Sequence, residues 1–308
     1  MWKTEDIKDF KKKLKTFLFS RRFDNVYKRL AKVYYNFQYR KDDVLLSTYP
    51  KSGTNWAAQI LWAMKHIDEL PKAMTENVEA RIFLLDNDFL DDVSHKYYMD
   101  ILRTTRPEAK EEDGPALQTA ALEQGPRLLW SHLPFDVHNP TVLDKCKVVY
   151  VMRHPKDNMF SRFIHFNKIT PAPIEYVTES FMTGDTLYGN YWHHVDEAWK
   201  RRHHPNLHIL FYEDMKADIM AELEKLNGFL GTGLNKEQLQ KVVELTSFKN
   251  MKAHPTMVVN IEALHGSFLH KGEVGSSKGQ IPPELDARMD AWIKENALKV
   301  DPAFRYSS

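Results

Sequence analysis

The feature that most constrains the fold of this chain is a repeated order of short apolar run, polar turn and helical segment. The run 44–48 is followed by a turn containing proline and glycine, and then by apolar residues at helical spacing. The same order returns after residues 147–152 and after residues 207–212, and 127–131 is a further, shorter strand candidate. Strands alternating with helices predict an α/β fold with a mainly parallel central sheet flanked by helices. In such sheets ligands bind beyond the carboxyl ends of the strands, where these turns lie.

The chain is predicted to form one domain over its 308 residues, because no repeat or low-complexity tract divides it. Residues 1–40 are expected to be a mostly helical N-terminal segment. Residues 254–283 carry several prolines and glycines without periodicity, which is typical of a functional loop or of a disordered one. The 43 Lys and Arg residues balance 42 Asp and Glu residues, so nucleic acid is not an expected partner.

The composition favours a cytoplasmic protein without stable membrane insertion. No run of roughly 20 apolar residues is present, and the N-terminus lacks the apolar core of a signal peptide. Cys146 is the only cysteine, so an intramolecular disulfide is impossible, and the apolar run beside it predicts a buried thiol. The histidine pairs 193–194 and 203–204 lack a third ligand, and adjacent residues point apart on a helix, so no metal site is expected.

The turn 49–54 has the features of a phosphate-binding loop. Gly53 and the helix that follows would present backbone N–H groups at the positive end of the helix dipole. Lys51 adds a cation, and the neighbouring hydroxyls add hydrogen-bond donors. Leu45 and Pro50 occupy the glycine positions of a Walker A motif, which disfavours an ATPase or kinase of that type. The alternative is an ordinary turn with an exposed lysine.

A second phosphate-binding point is predicted after the strand candidate 147–152. Arg153 follows this strand, and Ser161 lies about two helical turns further on. An arginine can hold a phosphate in a bidentate fork, and a serine can add a hydrogen bond. The two turns together indicate one ligand with two phosphate groups.

Five segments in order resemble motifs of the cytosolic sulfotransferases. The turn 49–56 is similar to the family's 5′-phosphosulfate loop, and the run 153–161 is similar to its 3′-phosphate motif. Segments 212–215, 246–248 and 271–278 match further motifs. The resemblance implies a single-domain fold with a P-loop-like phosphosulfate-binding loop, a late nucleotide-binding loop over residues 254–283, and no metal. It also implies transfer of a sulfuryl group from PAPS to a hydroxyl of a small acceptor, with PAP as the product.

The resemblance further implies roles for individual residues. His132, in a segment similar to the family's His-Leu-Pro, would deprotonate the acceptor hydroxyl, a task that suits a neutral imidazole. Lys51 would neutralise charge on the leaving phosphate. Trp56 and Phe248 would sandwich the adenine, although core packing is the more common role of such aromatic residues. The residues implied to bind the donor are Lys51, Ser52, Gly53, Thr54, Asn55, Trp56, Arg153, Ser161, Tyr212, Thr246, Phe248, His270, Lys271 and Gly272.

Three positions depart from the family pattern. Trp130 stands where many members have a lysine that contacts the sulfuryl group. His270 stands where an arginine usually precedes the Lys-Gly pair, which predicts weaker and pH-dependent binding of the 3′-phosphate. Residues 279–284 do not match the family's dimer motif, so the oligomeric state is left open.

The acceptor is not determined by these patterns. Candidates for an apolar acceptor pocket are residues 81–85, 163–166, Phe19 and Phe23, each of which also suits a core position. Such a pocket favours a phenol, a sterol or another lipophilic alcohol. Two alternatives are a carbohydrate sulfotransferase and a PAP- or PAPS-binding protein of the same fold with weak or no activity.

Overall fold

The computed structural model of the chain is built on one five-stranded parallel sheet. The structure describes residues 33–34, 36–89, 93–110, 113–168, 171–259, 269 and 271–305. The strands are β1 Val44–Thr48, β2 Phe83–Leu84, β3 Leu128–Ser131, β4 Lys147–Met152 and β5 Leu207–Phe211. Their order across the sheet is β2-β3-β1-β4-β5, with every pair parallel. The predicted α/β fold is confirmed, whereas the prediction of helix over residues 1–40 lies almost entirely outside the described residues.

Helices cover both faces of this sheet. They are α1 Thr54–Lys65, α2 Lys72–Thr75, α3 Val93–Thr105, α4 Pro115–Leu122, α5 Val142–Lys145, α6 Pro155–Phe166, α7 Ile174–Thr183, α8 Tyr191–Trp199, α9 Tyr212–Ala217, α10 Ile219–Leu230, α11 Lys236–Leu245, α12 Phe248–Ala253 and α13 Pro283–Val300. Short 3₁₀ turns lie at Ile67–Glu69, Val78–Ala80, Leu85–Phe89, Phe135–Val137 and Pro255–Met257. Across the described ranges, no helix is both long and apolar enough to cross a lipid bilayer.

The strands read as continuous apolar runs because both faces of the sheet are buried. Leu45, Val148 and Tyr150 point into one hydrophobic core, whereas Leu46 and Val149 point into the other. Alternation along a strand sends neighbouring side chains to opposite faces, so a sheet covered on both sides favours apolar residues at consecutive positions. Cys146 is buried as predicted, and burial raises the pKa of its thiol.

The sheet topology brings the important turns to one edge. After β1 the chain builds β2 and β3 on one side of it, and then β4 and β5 on the other. In the parallel register Ser47 of β1 pairs with Ser131 of β3, and Thr48 pairs with Val151 of β4. The turns that follow these three strands therefore leave the sheet side by side. Such a switch point in strand order is where parallel sheets bind ligands.

Candidate active site

The turn between β1 and α1 has a backbone shape that its neighbours enforce. Lys51 has a φ of 71°, a left-handed conformation that costs an L-residue other than glycine about 1–2 kcal/mol. Gly53 has a φ of 104°, and a Cβ there would lie 2.7 Å from the ring of Tyr212, so a side chain does not fit. Because Gly53 is the N-cap residue and has no side chain, the first N–H groups of α1 are left available to an anion.

The turn after β4 meets this first turn directly. Nη1 of Arg153 donates a hydrogen bond to the carbonyl oxygen of Lys51 at 3.1 Å. From α6, Nδ2 of Asn158 donates to the carbonyl oxygen of Pro50 at 2.9 Å and lies 3.0 Å from Oγ of Ser52. Arg153 is buried, and its Nε has no hydrogen-bond partner in the part of the chain that the structure describes. The two predicted phosphate-binding turns thus lie together.

Aromatic rings border both turns. The guanidinium carbon of Arg153 lies 4.4 Å from the centre of the Tyr212 ring, and Trp56 meets that ring edge to face at 5.7 Å. Phe248 packs on the backbone of Gly272, where a Cβ would lie 2.5 Å from the phenyl ring. Five of the predicted donor-binding residues therefore lie in contact in two groups, one of three residues around Tyr212 and one pair of Phe248 with Gly272.

The loop of residues 271–277, here called the late loop, carries Lys271 and Gly272 and is hydrogen-bonded to α6. One carboxylate oxygen of Asp157 accepts from the N–H of Gly275 at 2.6 Å, and the other accepts from the N–H and Oγ of Ser277 at 3.0 and 2.7 Å. Nη2 of Arg153 donates to a carbonyl of the same loop at 3.4 Å. These bonds join the late loop to the predicted 3′-phosphate motif. Lys271 is exposed on this loop.

The imidazole of His132 is oriented by the end of β1. Its Nδ1 lies 2.9 Å from the carbonyl oxygen of Thr48 and 3.0 Å from Oγ1 of the same residue. A carbonyl oxygen only accepts, so Nδ1 carries the proton and Nε2 keeps its lone pair. Partial burial lowers the pKa of His132 to about 4; the bond to Thr48 opposes this shift, and the charge of Lys51 adds to it. The ring is therefore neutral at physiological pH.

Positive charge is concentrated beside Lys51. Desolvation lowers the pKa of Lys51 to about 7, and the charges of Arg153 and Arg162 contribute to this shift. Arg162 is buried, its guanidinium carbon lies 4.7 Å from the centre of the Phe166 ring, and no described carboxylate pairs with it. Burial, with the charges of Lys51 and Arg162, lowers the pKa of His165 to about 2. This excess of cations is complementary to an anionic ligand.

Other predicted donor-binding residues have partners within the protein. Oγ1 of Thr54 lies 2.7 Å from a hydroxyl of β1, and Oδ1 of Asn55 accepts from a backbone N–H after α12 at 3.3 Å. Thr246 is buried and donates to a carbonyl one helical turn earlier at 2.8 Å. Ser161 is half-buried on the second turn of α6, and His270 lies outside the described residues. Donor contacts by these residues stay predictions.

Trp130 is a core residue. It is buried on β3, contributes to the hydrophobic core that contains Leu46, and brings no cation to the site. Its ring centre lies 6.2 Å from that of His132. Arg81, at the start of the segment considered for the acceptor pocket, is also buried, where it donates to Oε1 of Gln59 at 3.2 Å. The core alternative for Arg81 therefore holds, as it does for the buried residues 82–85 that follow it.

Sequence reasoning missed the residues that hold the site together. Asp157 and Asn158 lie inside the matched motif 153–161, so their position was a usable signal. Arg162 follows that motif, and Asp86 closes an apolar run, but neither position carries a pattern that distinguishes it from a surface residue. Among the described side chains, no group of three or more His, Cys, Asp or Glu is placed to hold a metal ion.

Comparison with known proteins identifies the family. The sequence profile of the Sulfotransferase domain matches residues 41–301. Sulfotransferase 1A1 of Mus musculus is 34% identical over 282 residues, which cover 88% of this chain and 89% of the mouse protein. The chain belongs to the sulfotransferase family. The resemblance to cytosolic sulfotransferases read from the five segments is confirmed.

Solved structures of related enzymes share this fold. Retinol dehydratase in complex with androsterone and the inactive cofactor PAP superposes with a TM-score of 0.77 at 27% identity, covering 92% of this chain and 88% of that one. Retinol dehydratase in a complex with retinol and PAP gives a TM-score of 0.76 at 25% identity, covering 91% and 88%. The sulfotransferase thus has an α/β fold shared with PAP-bound enzymes, and it is an enzyme that transfers a sulfuryl group.

Proposed function

We propose that this sulfotransferase takes its sulfuryl group from PAPS and releases PAP. The observation that carries the proposal is the 3.1 Å hydrogen bond from Arg153 to the carbonyl of Lys51, which joins two anion-binding turns at one sheet edge. PAP is one adenosine with two separate phosphates, and it therefore requires two such turns at a short distance. The PAP complexes of structurally similar enzymes support the same donor.

The residues present fit such a nucleotide. Nε of Arg153 is buried without a partner in the described part of the chain, so an anion there would complete its hydrogen bonding. Glycine at positions 53 and 272 lets the rings of Tyr212 and Phe248, both predicted to contact the nucleotide, pack directly on the two loops. The cations beside Lys51 match phosphate and sulfate charge. Bound PAPS would supply the reactive sulfuryl group and a phosphate leaving group.

His132 is the base in this proposal. Its Nε2 takes the proton of the acceptor hydroxyl while the acceptor oxygen forms its bond to sulfur. Lys51 donates to the oxygen that leaves sulfur and stays on phosphate, and the N–H groups at the start of α1 stabilise the remaining negative charge. The bond from Nδ1 to Thr48 keeps the ring in the tautomer that this step requires.

We expect the acceptor to be a lipophilic alcohol or phenol. The similar structures are complexes with androsterone or retinol together with PAP. In this chain the ring of Tyr188 meets His132 edge to face at 5.3 Å, so an aromatic side chain lies beside the base. An apolar acceptor could pack on this ring with its hydroxyl directed at His132, which would take the proton.

The test combines nucleotide binding with product analysis. Calorimetry with PAP measures the donor site, and sulfur-labelled PAPS is offered with a panel of phenols, sterols, other alcohols and sugars. Mass spectrometry distinguishes a gained sulfuryl group from a lost water, an outcome to check because the similar structures are of a dehydratase. Absence of PAP binding would exclude the proposed donor.

The role of His132 is tested by His132→Ala. We expect kcat to fall by about 10²–10⁴-fold while PAP binds as in the parent enzyme. Lys51→Ala should weaken PAP binding and lower the rate together. The control is His193→Ala, since His193 is exposed and its ring contacts Asp136 at 2.9 Å. Full activity of His132→Ala would remove the assignment of the base.

A second candidate function is nucleotide binding without turnover. It is favoured by Trp130, because the family's sulfuryl-contacting lysine is replaced there by a buried ring. Binding of PAP together with no transfer to any member of the panel would support it. Transfer to sugars alone would favour a carbohydrate sulfotransferase.

A further inference from the structure

Behind the proposed base lies a buried carboxylate, Asp86. One of its oxygens accepts from Oγ of Ser131 at 2.6 Å, and the other accepts from the backbone N–H of His132. Oγ of Ser131 in turn accepts from the hydroxyl of Tyr34 at 2.6 Å and from the N–H of Leu133 at 3.0 Å. Asp86 thus binds the N–H of His132 directly and, through the hydroxyl of Ser131, is linked to the N–H of Leu133 on the other side of His132.

Burying this carboxylate is unfavourable. Asp86 is 0% exposed, and burial raises its pKa to about 7, although the hydrogen bonds from Ser131 and His132 oppose this rise. No described cation forms a salt bridge with it. Its hydrogen-bond donors are the backbone N–H of His132 and the hydroxyl of Ser131. The bonds that stabilise the buried Asp86 therefore also fix the position of His132.

The carbonyl of His132 is held from the other side. Nε2 of His194, on α8, lies 3.0 Å from this carbonyl oxygen. Since the carbonyl only accepts, Nε2 carries the proton, and Nδ1 of His194 accepts from the hydroxyl of Tyr150 at 2.6 Å. His194 and Tyr150 are both buried. Both backbone polar groups of His132 are therefore bonded to buried side chains from separate elements.

We propose that Asp86 and His194 are positioning residues for His132. They act through its main chain and do not contact the acceptor. A base must lie within hydrogen-bond reach of the proton it removes, and a displacement near 1 Å can cost about 10²-fold in rate. The proposal rests on the proposed role of His132 as the base.

The chain supplies a matched control for Asp86. Asp88 lies on the same 3₁₀ turn, is 5% exposed, and has its pKa raised to about 7 by burial. It accepts from the N–H groups of Ala116 and Leu117 at 2.7 and 3.1 Å, at the start of α4. Asp86→Asn and Asp88→Asn are therefore the same chemical change in the same turn, and only the first reaches His132.

We expect Asp86→Asn to lower kcat by about 10–100-fold while KM for PAPS and the affinity for PAP stay within about twofold. Asp88→Asn should keep kcat and lose thermal stability alone. The ¹⁵N shifts of the His132 ring should show less of the Nδ1-protonated tautomer in Asp86→Asn, a change that a general loss of stability does not produce.

A second pair of variants keeps the test decisive if Asp86→Asn does not fold. His194→Gln retains a donor near the position of Nε2, and His194→Phe removes it. We expect the Gln variant to keep most of kcat and the Phe variant to lose it, with PAP binding intact in both. Equal kcat in the two variants would overturn the positioning role of His194.

The outcomes distinguish a failure of this proposal from a failure of the proposed function on which it rests. If His132→Ala is fully active, the base assignment fails whatever Asp86 does. If His132→Ala is inactive and Asp86→Asn turns over as fast as Asp88→Asn, the positioning role of Asp86 is wrong and the base assignment stands.

Discussion

At the scale of single residues, Lys51 shows how the surroundings give a common side chain a special property. Its backbone is left-handed, its carbonyl accepts from Arg153, and its pKa is lowered to about 7 by desolvation and by neighbouring cations. An ordinary lysine stays charged far above physiological pH. Lys51 therefore changes charge near pH 7.

This lowered pKa predicts that PAP binds more weakly as the pH rises. Lys51 is charged below about pH 7 and neutral above it, and an anion prefers the charged form. We expect the dissociation constant to increase by about tenfold from pH 6 to pH 8, as measured by calorimetry. Lys51→Arg should lose the part of this dependence that Lys51 causes, because arginine keeps its charge.

His270 is predicted to contribute a similar trend, since a histidine also loses its charge in this range. His270→Arg tests its share separately. A dependence that survives in Lys51→Arg and disappears in His270→Arg would contradict the assignment to Lys51.

At the scale of elements, α6 is the helix that assembles the site. Arg153 lies two residues before its start, Asp157 bonds to the late loop, Asn158 bonds to the turn after β1, and Ser161 lies one turn further on. The helix starts at Pro155, whose missing N–H is no loss in a first turn. Three segments distant in sequence therefore depend on the placement of one 12-residue helix.

The attachment of the late loop predicts a binding effect from outside the pocket. Asp157→Ala removes the three bonds to Gly275 and Ser277. The segment with Lys271 and Gly272 then loses its anchor, and we expect PAP affinity to fall by about tenfold. Calorimetry measures the change.

Ser277→Ala is the graded control, since it removes the hydroxyl bond and keeps both backbone bonds to Asp157. Its effect should be smaller. If Asp157→Ala bound PAP as tightly as the parent enzyme, the late loop would have no part in holding the nucleotide.

At the scale of the whole molecule, a chain with a net charge of +1 concentrates cations at one sheet edge. The turns after β1 and β4 and the late loop meet there, and the cations beside Lys51 repel one another. Binding of an anion relieves this repulsion and links the three segments. Because only the folded chain brings them together, the ligand also stabilises the fold.

We therefore expect PAP at a hundred times its dissociation constant to stabilise the folded state by about 2.7 kcal/mol, seen as a Tm several degrees higher. Adenosine without phosphates should leave Tm almost unchanged, and Arg153→Met should reduce the shift. An equal rise in Tm with adenosine would show that contacts to the nucleoside, and not contacts of the two turns with the phosphates, provide the binding energy.

The sequence by itself determined the parallel sheet and predicted the two turns that we propose to bind anions. Both predictions depend on local patterns: apolar runs that fit a sheet covered on two faces, and a turn with proline and glycine between a strand and a helix. It did not reveal β2, because two residues are too few to form a recognisable strand pattern.

The tertiary structure decided which side chains support the chemistry. Asp86 and His194 lie 46 and 62 residues from His132 in the sequence, and no local pattern relates them to it. Likewise, Arg153 and Lys51 are 102 residues apart in the sequence, and they meet because β1 pairs with β4. Hydrogen bonds of this kind form only after the sheet has set the register of β1, β3 and β4, so only the folded chain shows them.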